Sequence, residues 1–173
     1  MVVCIDKVEG ASQIRIAAAV GKRFYLHATA PGKALISRLK EQDMERVFGS
    51  LDLPAVTPNT ITSMSRLQRE LQRVRAQGYA VDDGENVAGI RGVAAPVFDH
   101  QSNVVAALAT GGVGFQLDKN IQTVIASVTS TTAAVSEKLG YRGSADPRGA
   151  EEVTPNLRVA RDLRGRPYAF HRE

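Results

Sequence analysis

The order of hydrophobic and polar side chains along this chain of 173 residues predicts strands first, then helices, then strands again and a final long helix. Apolar and polar side chains alternate through residues 12–20, as in a half-buried strand, and residues 1–9 also read as a strand. Together they predict a hairpin that turns at Gly10. Three later segments are apolar, bounded by turn residues, and predict further strands: residues 79–83, 87–98 and 104–110.

Helices are predicted where apolar side chains recur every three or four residues behind a capping residue. Thr29 and Pro31 mark the start of one helix, which we expect to reach Arg38 or Leu39. This order of elements indicates an α+β fold, with helices covering an antiparallel sheet. The other predicted helices are residues 41–48, a helix capped by Ser63 and stopped by Gly78, and a long helix capped by Asp118 and stopped by Gly140.

The start of the first helix is the most informative stretch, because a strand-like run stops there. A helix start has backbone N–H groups without internal partners and attracts a small anionic or polar ligand. The stretch is not a nucleotide-binding loop, since His27 stands where that motif needs glycine and Ala34 where it needs serine or threonine. Lys33 is expected to point to solvent. We therefore predict binding of a small molecule rather than chemistry on one.

The later strands are rich in glycine, which costs stability there and often marks close approach of a ligand to the backbone. The glycines concerned are Gly89, Gly92, Gly111 and Gly112. Two acids, Asp82 and Asp83, end the strand before them. Either they end the strand in water or, if Asp82 is buried, its carboxylate needs a ligand hydroxyl, backbone N–H groups or a cation. A concave ligand-binding face is the prediction.

Composition narrows the function further. Hydrophobic residues make up 43% of the chain, enough for one core, and Cys4 is the single cysteine, so a disulfide within the chain is excluded. We expect Cys4 to be buried and unreactive. No signal-like or membrane-length apolar run occurs, which favours the cytoplasm. We expect no metal and no cofactor, because His27, His100 and His171 lack ligand spacing, and His27 is expected to bond the loop structurally.

Three other functions compete with ligand sensing as explanations of this sequence. The net charge of +4 is scattered, so nucleic-acid binding by residues of the 63–78 helix is not favoured. An enzyme would use Asp82 or Asp83 as base and His27 as acid, but no nucleophile elbow or dinucleotide motif is present, and we expect no enzyme. A ligand-free oligomerisation module remains open, because residues 121–139 carry a long apolar stripe.

Four blocks, HATAPGKAL, LQRELQRVRAQGYAVDDGEN, GIRGVAAPVFD and VVAALATGG, resemble the C-terminal effector-binding domain of the IclR family of bacterial transcription regulators. The resemblance runs from about Val2 to about Gly143 and implies a GAF-like fold. It also implies a cytoplasmic sensor of a small organic effector, often an acid or aromatic catabolite, in a homodimer or tetramer. The family's winged helix-turn-helix domain is not in this sequence, so we expect residues 1–143 to be an effector-binding domain incomplete at its N-terminus.

The resemblance also implies where the effector binds. Serine hydroxyls and a cysteine stand in some family members where this chain has Ala109, Gly111 and Gly92, so a wider and more apolar pocket is expected. Residues 144–173 carry three prolines and six arginines against five acids, and are expected to form an irregular tail. The implied effector-binding residues are Leu26, Ala30, Pro31, Asp82, Ile90, Gly92, Ala109 and Gly111.

Overall fold

The computed structural model describes residues 1–10, 16, 18–49 and 53–143. Five strands and five helices occur within these ranges. In chain order the strands are β1 (Val2–Val3), β2 (Arg23–Phe24), β3 (Ala80–Asp83), β4 (Ile90–Phe98) and β5 (Val104–Val113). The helices are α1 (Ala30–Ile36), α2 (Glu41–Phe48), α3 (Met64–Gln77), α4 (Gly114–Asp118) and α5 (Ile121–Lys138).

The centre of the fold is an antiparallel sheet in the order β3-β4-β5. Side chains alternate across a strand, so the residues of β4 face two different layers. Ala94 packs with Ala30 and Ala34 of α1 and Val74 of α3, whereas Val93 packs on the α5 side. Helix α1, with Val74 of α3 beside it, therefore covers one face of the sheet and α5 covers the other, which confirms the predicted α+β arrangement.

A third hydrophobic cluster lies among the helices, away from the sheet. It joins α1, α2 and α3 through large aliphatic and aromatic side chains, so these helices form one unit above the sheet face. Its buried members are Leu26, Ile36, Leu39, Met44, Phe48, Leu53, Ile61, Leu67 and Leu71.

The predicted N-terminal hairpin is wrong for the part that can be checked. Val2 and Val3 pair with Phe24 and Arg23 of β2 rather than with residues 12–20. Five residues of that second segment, namely 12–15 and 17, lie outside the described residues. Because β1 is short and at an edge, the thiol of Cys4 is only partly buried, contrary to expectation.

Other boundaries differ by a few residues. Helix α1 ends at Ile36, because the Ser37 hydroxyl donates to the carbonyl of Ala34 at 2.8 Å and closes the last turn. Strand β4 begins only after Gly89, whose φ of 78° places it in a turn. The short α4 was not predicted, and Asn120 rather than Asp118 holds the N-cap position of α5. Among the described residues, no helix has the length and apolar character needed to cross a bilayer.

Candidate functional site

The start of α1 is built as its sequence predicts. The Thr29 hydroxyl accepts the Gly32 N–H at 3.2 Å and donates to the carbonyl of Tyr25 at 2.8 Å, and Pro31 occupies the first turn. A Cβ at Gly32 would lie 2.4 Å from the carbonyl oxygen of Leu26, so only glycine fits there. The tight entry fixes the position of Ala30 at the N-terminal end of α1.

Beneath Ala30 lies a row of paired residues across the sheet. Asp82 of β3 pairs with Gly92 of β4, which pairs in turn with Gly111 of β5. A Cβ at Gly92 would lie 3.6 Å from the Cβ of Ala30 and 3.8 Å from the Cβ of Asp82. Ala109 belongs to the next row and pairs with Ala94. Paired residues share a face, so the structure groups Ala30, Asp82, Gly92, Ala109 and Gly111, here called the candidate pocket.

Within the candidate pocket, solvent exposure is greatest for the residues of β5. Ala109 and Gly111 are exposed and Gly92 is partly buried, whereas Ala30 and Asp82 are buried. The glycines and alanines leave the sheet surface accessible between α1 and the outer strand. On the β5 side the Ile16 side chain reaches over Gly111, where a Cβ would be 3.1 Å from its Cδ1.

The other predicted pocket residues lie around this group. Pro31 follows Ala30 in the first turn of α1 and is partly buried. The Leu26 side chain packs in the cluster between the helices, not on the sheet. Ile90 pairs with Val113, one row beyond Gly92 and Gly111, at the end of the sheet.

Asp82 is the buried acid of the two. It is 8% exposed, and its Oδ1 accepts the Glu85 N–H at 2.7 Å. Burial raises the pKa of Asp82 to about 6, against the opposing effect of that N–H. Asp83 is exposed and pairs with Arg91, so the expectation that these acids merely end a strand in water holds for Asp83 alone.

The expectation that Lys33 points to solvent is wrong. Its side chain is fully buried, and its ammonium donates to Glu85 Oε1 at 2.5 Å, to the Val81 carbonyl at 2.6 Å and to Glu70 Oε1 at 3.3 Å. A buried lysine requires paired acceptors, and these are supplied by β3, the following loop and α3. Burial also raises the pKa of Glu85, while Lys33 opposes that rise.

Two threonines that the sequence did not single out anchor the loop after β3. The Thr60 hydroxyl donates to the Glu85 carbonyl at 2.6 Å, and that of Thr57 donates to the Gly84 carbonyl at 2.7 Å. Their signal in the sequence is weak, because threonines near proline are common in loops without any distant partner.

His27 has the structural role expected of it. Its Nε2 lies 3.1 Å from the Pro54 carbonyl oxygen, and burial lowers its pKa. In the part of the chain that the structure describes, no three His, Cys, Asp or Glu side chains come together as a metal site would require.

A separate groove of about 440 Å³ lies at the end of the sheet, where β3 ends and α4 begins. Arg91 crosses it and pairs with Asp83 and Asp118, so its guanidinium is already engaged by two carboxylates. The groove is open to solvent, and its charged side chains pair with one another. The groove is lined by Asn59, Asp83, Gly84, Gly89, Ile90, Arg91, Val113, Gly114, Phe115 and Asp118.

Comparison with known proteins gives one consistent result. Residues 1–137 match the family model described as bacterial transcriptional regulator IclR C-terminal. The HTH-type transcriptional regulator XynR of Escherichia coli is 35% identical over 140 residues, which are 80% of this chain and 56% of that protein. The chain spans about half the length of the curated relatives it matches.

Solved structures agree with the sequence comparison. The IclR protein of Thermotoga maritima superposes with a TM-score of 0.76 at 36% identity, covering 80% of this chain and 57% of that one. A double mutant of the PobR inducer-binding domain from Acinetobacter, solved as a complex with 3-hydroxybenzoic acid, gives a TM-score of 0.66 at 25% identity. That match covers 72% of this chain and 73% of the PobR chain.

Proposed function

We propose a function from one premise: the chain belongs to the IclR family of bacterial transcription regulators and corresponds to the family's C-terminal domain. The relatives are regulators rather than enzymes, so the role to explain is binding and not turnover. We propose that residues 1–143 form a sensor domain that binds a small organic effector. The structural observation that carries the proposal is the buried Asp82 carboxylate beside Gly92, beneath the start of α1.

The effector is proposed to lie on the sheet between α1 and β5. Ala30, Gly92, Ala109 and Gly111 offer backbone and small apolar surface, while Asp82 offers a carboxylate. Small residues admit a flat ligand close to the backbone, and one polar group fixes its orientation. Three further residues are proposed to form the border of the candidate pocket, around the residues that the effector contacts: Leu26, Pro31 and Ile90.

The chemistry of the candidate pocket favours an effector with a hydrogen-bond donor. The proposed class is an organic acid or aromatic catabolite that carries such a group. The PobR domain is a relative whose structure contains a compound of this class, 3-hydroxybenzoic acid. A hydroxyl can donate to Asp82 as a further partner beside the Glu85 N–H. The exposed Ala109 and Gly111 on β5 give the effector access to this part of the sheet.

The remaining parts of the proposal concern the whole protein. We propose that the whole protein binds operator DNA through a helix-turn-helix domain, since XynR is named an HTH-type regulator. This domain would not be part of the matched residues 1–137. We further propose a cytoplasmic homodimer or tetramer, with residues 144–173 outside the effector-binding domain. Ligand binding can control DNA binding only if the ligand favours one conformation over another.

A thermal-shift screen of organic acids and aromatic compounds, including 3-hydroxybenzoate and benzoate, tests the proposal on the full chain. A ligand that binds only the folded state raises Tm, and the rise grows with the logarithm of the ligand concentration once that concentration exceeds Kd. The expected result is a Tm increase for a subset of compounds that is lost in Asp82→Ala, with affinity checked by calorimetry. Equal affinity of the wild type and Asp82→Ala for every hit would reject Asp82 as a pocket residue.

A ligand-free oligomerisation module is the second candidate function. The observation in its favour is α5, whose Val135 and Leu139 end is exposed although it carries apolar side chains. This alternative predicts association that depends on α5 and no compound-dependent change in Tm. Analytical ultracentrifugation of Val135→Asp, set beside the same thermal-shift screen, separates the two.

A further inference from the structure

We infer that Lys33 is a positioning residue for the candidate pocket, which holds the Asp82 carboxylate in place without contacting the effector. The inference rests on the proposed function. It starts from the burial of Lys33, which ranks first by volume among the fully buried side chains of the described residues. A lysine is almost never fully buried unless its charge is paired, so its place must be explained by what its ammonium binds.

All three ammonium protons have an acceptor. The Val81 carbonyl lies immediately before Asp82 in β3, and Glu85 lies three residues after it. The third acceptor, Glu70, belongs to α3 and also pairs with the exposed Arg73. Lys33 therefore binds the chain on both sides of Asp82 and connects that segment to α3.

Glu85 passes this restraint to Asp82 directly. Its side chain is bound by Lys33, while its backbone N–H donates to Asp82 Oδ1 at 2.7 Å. The same residue is thus fixed at its side chain by Lys33, at its carbonyl by Thr60 and at its N–H by Asp82. If the Lys33 contact is lost, the Glu85 N–H is freer to move away from the carboxylate that it orients.

The opposite wall of the candidate pocket depends on the same lysine. Lys33 and Ala30 are three residues apart on α1, so they lie on neighbouring turns of one helix face. The bond from Lys33 to the Val81 carbonyl sets the distance of α1 from β3, and with it the gap between Ala30 and Asp82. Lys33 thereby fixes both the floor and the roof of the pocket.

The charge balance indicates which variants are informative. Within the described residues, Oε2 of Glu85 is buried and has no hydrogen-bond partner. The carboxylate therefore depends on Lys33 for its charge pairing, and removing Lys33 alone would leave it without its cation. Lys33→Met combined with Glu85→Gln removes the ion pair while avoiding an unpaired buried charge. Glu85→Gln alone is a second route, since it weakens the Lys33 contact and keeps the lysine. Lys138→Met, at an exposed lysine of α5, is the control.

The test follows the Glu85 backbone amide of the full chain by NMR, with no ligand added. The carboxyl of Glu85 itself titrates in the wild type, so the titration is compared between Glu85→Gln and the double variant; in Glu85→Gln the amide shift of residue 85 should titrate with Asp82. In the double variant we expect hydrogen exchange at residue 85 to accelerate by about tenfold or more relative to Ala94 of β4, and the titration amplitude to fall below that of Glu85→Gln. Glu85→Gln alone should show a smaller acceleration of exchange, and Lys138→Met should match the wild type.

A merely structural lysine would change exchange at Glu85 and Ala94 by the same factor, because only global unfolding would be affected. That result, or an equal titration amplitude at residue 85 in Glu85→Gln and the double variant, would overturn the positioning role. Since no effector is used, failure of this experiment leaves the sensor proposal intact. Conversely, absence of compound binding in the thermal-shift screen would leave the NMR result standing.

Discussion

Asp82→Asn is the substitution that isolates the buried acid of the candidate pocket. Asparagine keeps the size of the side chain and can accept the Glu85 N–H, which lies 2.7 Å from Oδ1. It removes only the charge and the titration. The burial that raises the pKa of Asp82 to about 6 means that the folded protein binds a proton more tightly than the unfolded chain does.

The sign of the effect follows from proton binding. Between the ordinary pKa of 3.8 and the folded value of about 6, the folded state holds a proton that the unfolded state has released. This contribution to stability is fully present below pH 3.8 and is lost as pH rises through 6. The full difference corresponds to about 3 kcal/mol, of which about 1.4 kcal/mol falls between about pH 8 and about pH 5.

Urea unfolding at a series of pH values measures this contribution. We expect the free energy of unfolding of the wild type, minus that of Asp82→Asn, to increase by about 1.4 kcal/mol when pH falls from about 8 to about 5. Asp83→Asn is the matched control, because the exposed Asp83 is adjacent and Asp82 is retained. Parallel profiles for the wild type and Asp82→Asn would refute the conclusion that desolvation controls this carboxyl.

Three further substitutions test how the site is built, each by urea unfolding. Gly32→Ala places a Cβ 2.4 Å from a backbone carbonyl oxygen and should lower the free energy of unfolding by about 3 kcal/mol or more. Gly112→Ala, whose Cβ would be 3.6 Å from the nearest side-chain atom, should lower it only slightly, and equal losses would contradict the packing. Thr29→Ala removes the α1 cap and should cost about 1 kcal/mol, a loss that Thr29→Ser should largely avoid. Ser136→Ala leaves a buried β4 N–H unpaired and should cost about 1–3 kcal/mol, unlike the exposed Ser130→Ala; no difference between them would count against that bond.

Local signals in the sequence predicted most of the elements. Thr29 and Gly78 sit at helix boundaries because capping and left-handed stops depend on neighbouring residues alone. Boundaries set by tertiary contacts were predicted less well. The short α4 is an example, since Asp118 pairs with Arg91 of a distant strand instead of capping α5.

The error at Lys33 has a clear physical origin. Its position in α1 gives no hint of burial, because its acceptors, Glu70, Val81 and Glu85, are between 37 and 52 residues away along the chain. A lysine is assigned to the surface by default. Only the packing of α1 against β3 and α3 shows that this one must be paired inside.

The candidate pocket was partly accessible to sequence reasoning. The register of the sheet places Asp82, Gly92 and Gly111 in one row, as their glycine-rich context suggested. The periodicity of the sequence could not show that Leu26 packs among the helices. Both the cluster among the helices and the sheet surface are apolar, so an apolar side chain suits either. Its assignment to the border of the pocket remains a prediction.

The central claim is that a small molecule binds on the sheet between α1 and β5. A fragment screen of the full chain by protein-observed NMR, repeated with Gly92→Leu, tests it most directly. We expect fragments to shift the amides of Asp82, Gly92 and Gly111 in the wild type, and the leucine to abolish these shifts by filling the space beside Ala30. Fragments that shift other regions only, or that bind Gly92→Leu equally well, would contradict the claim.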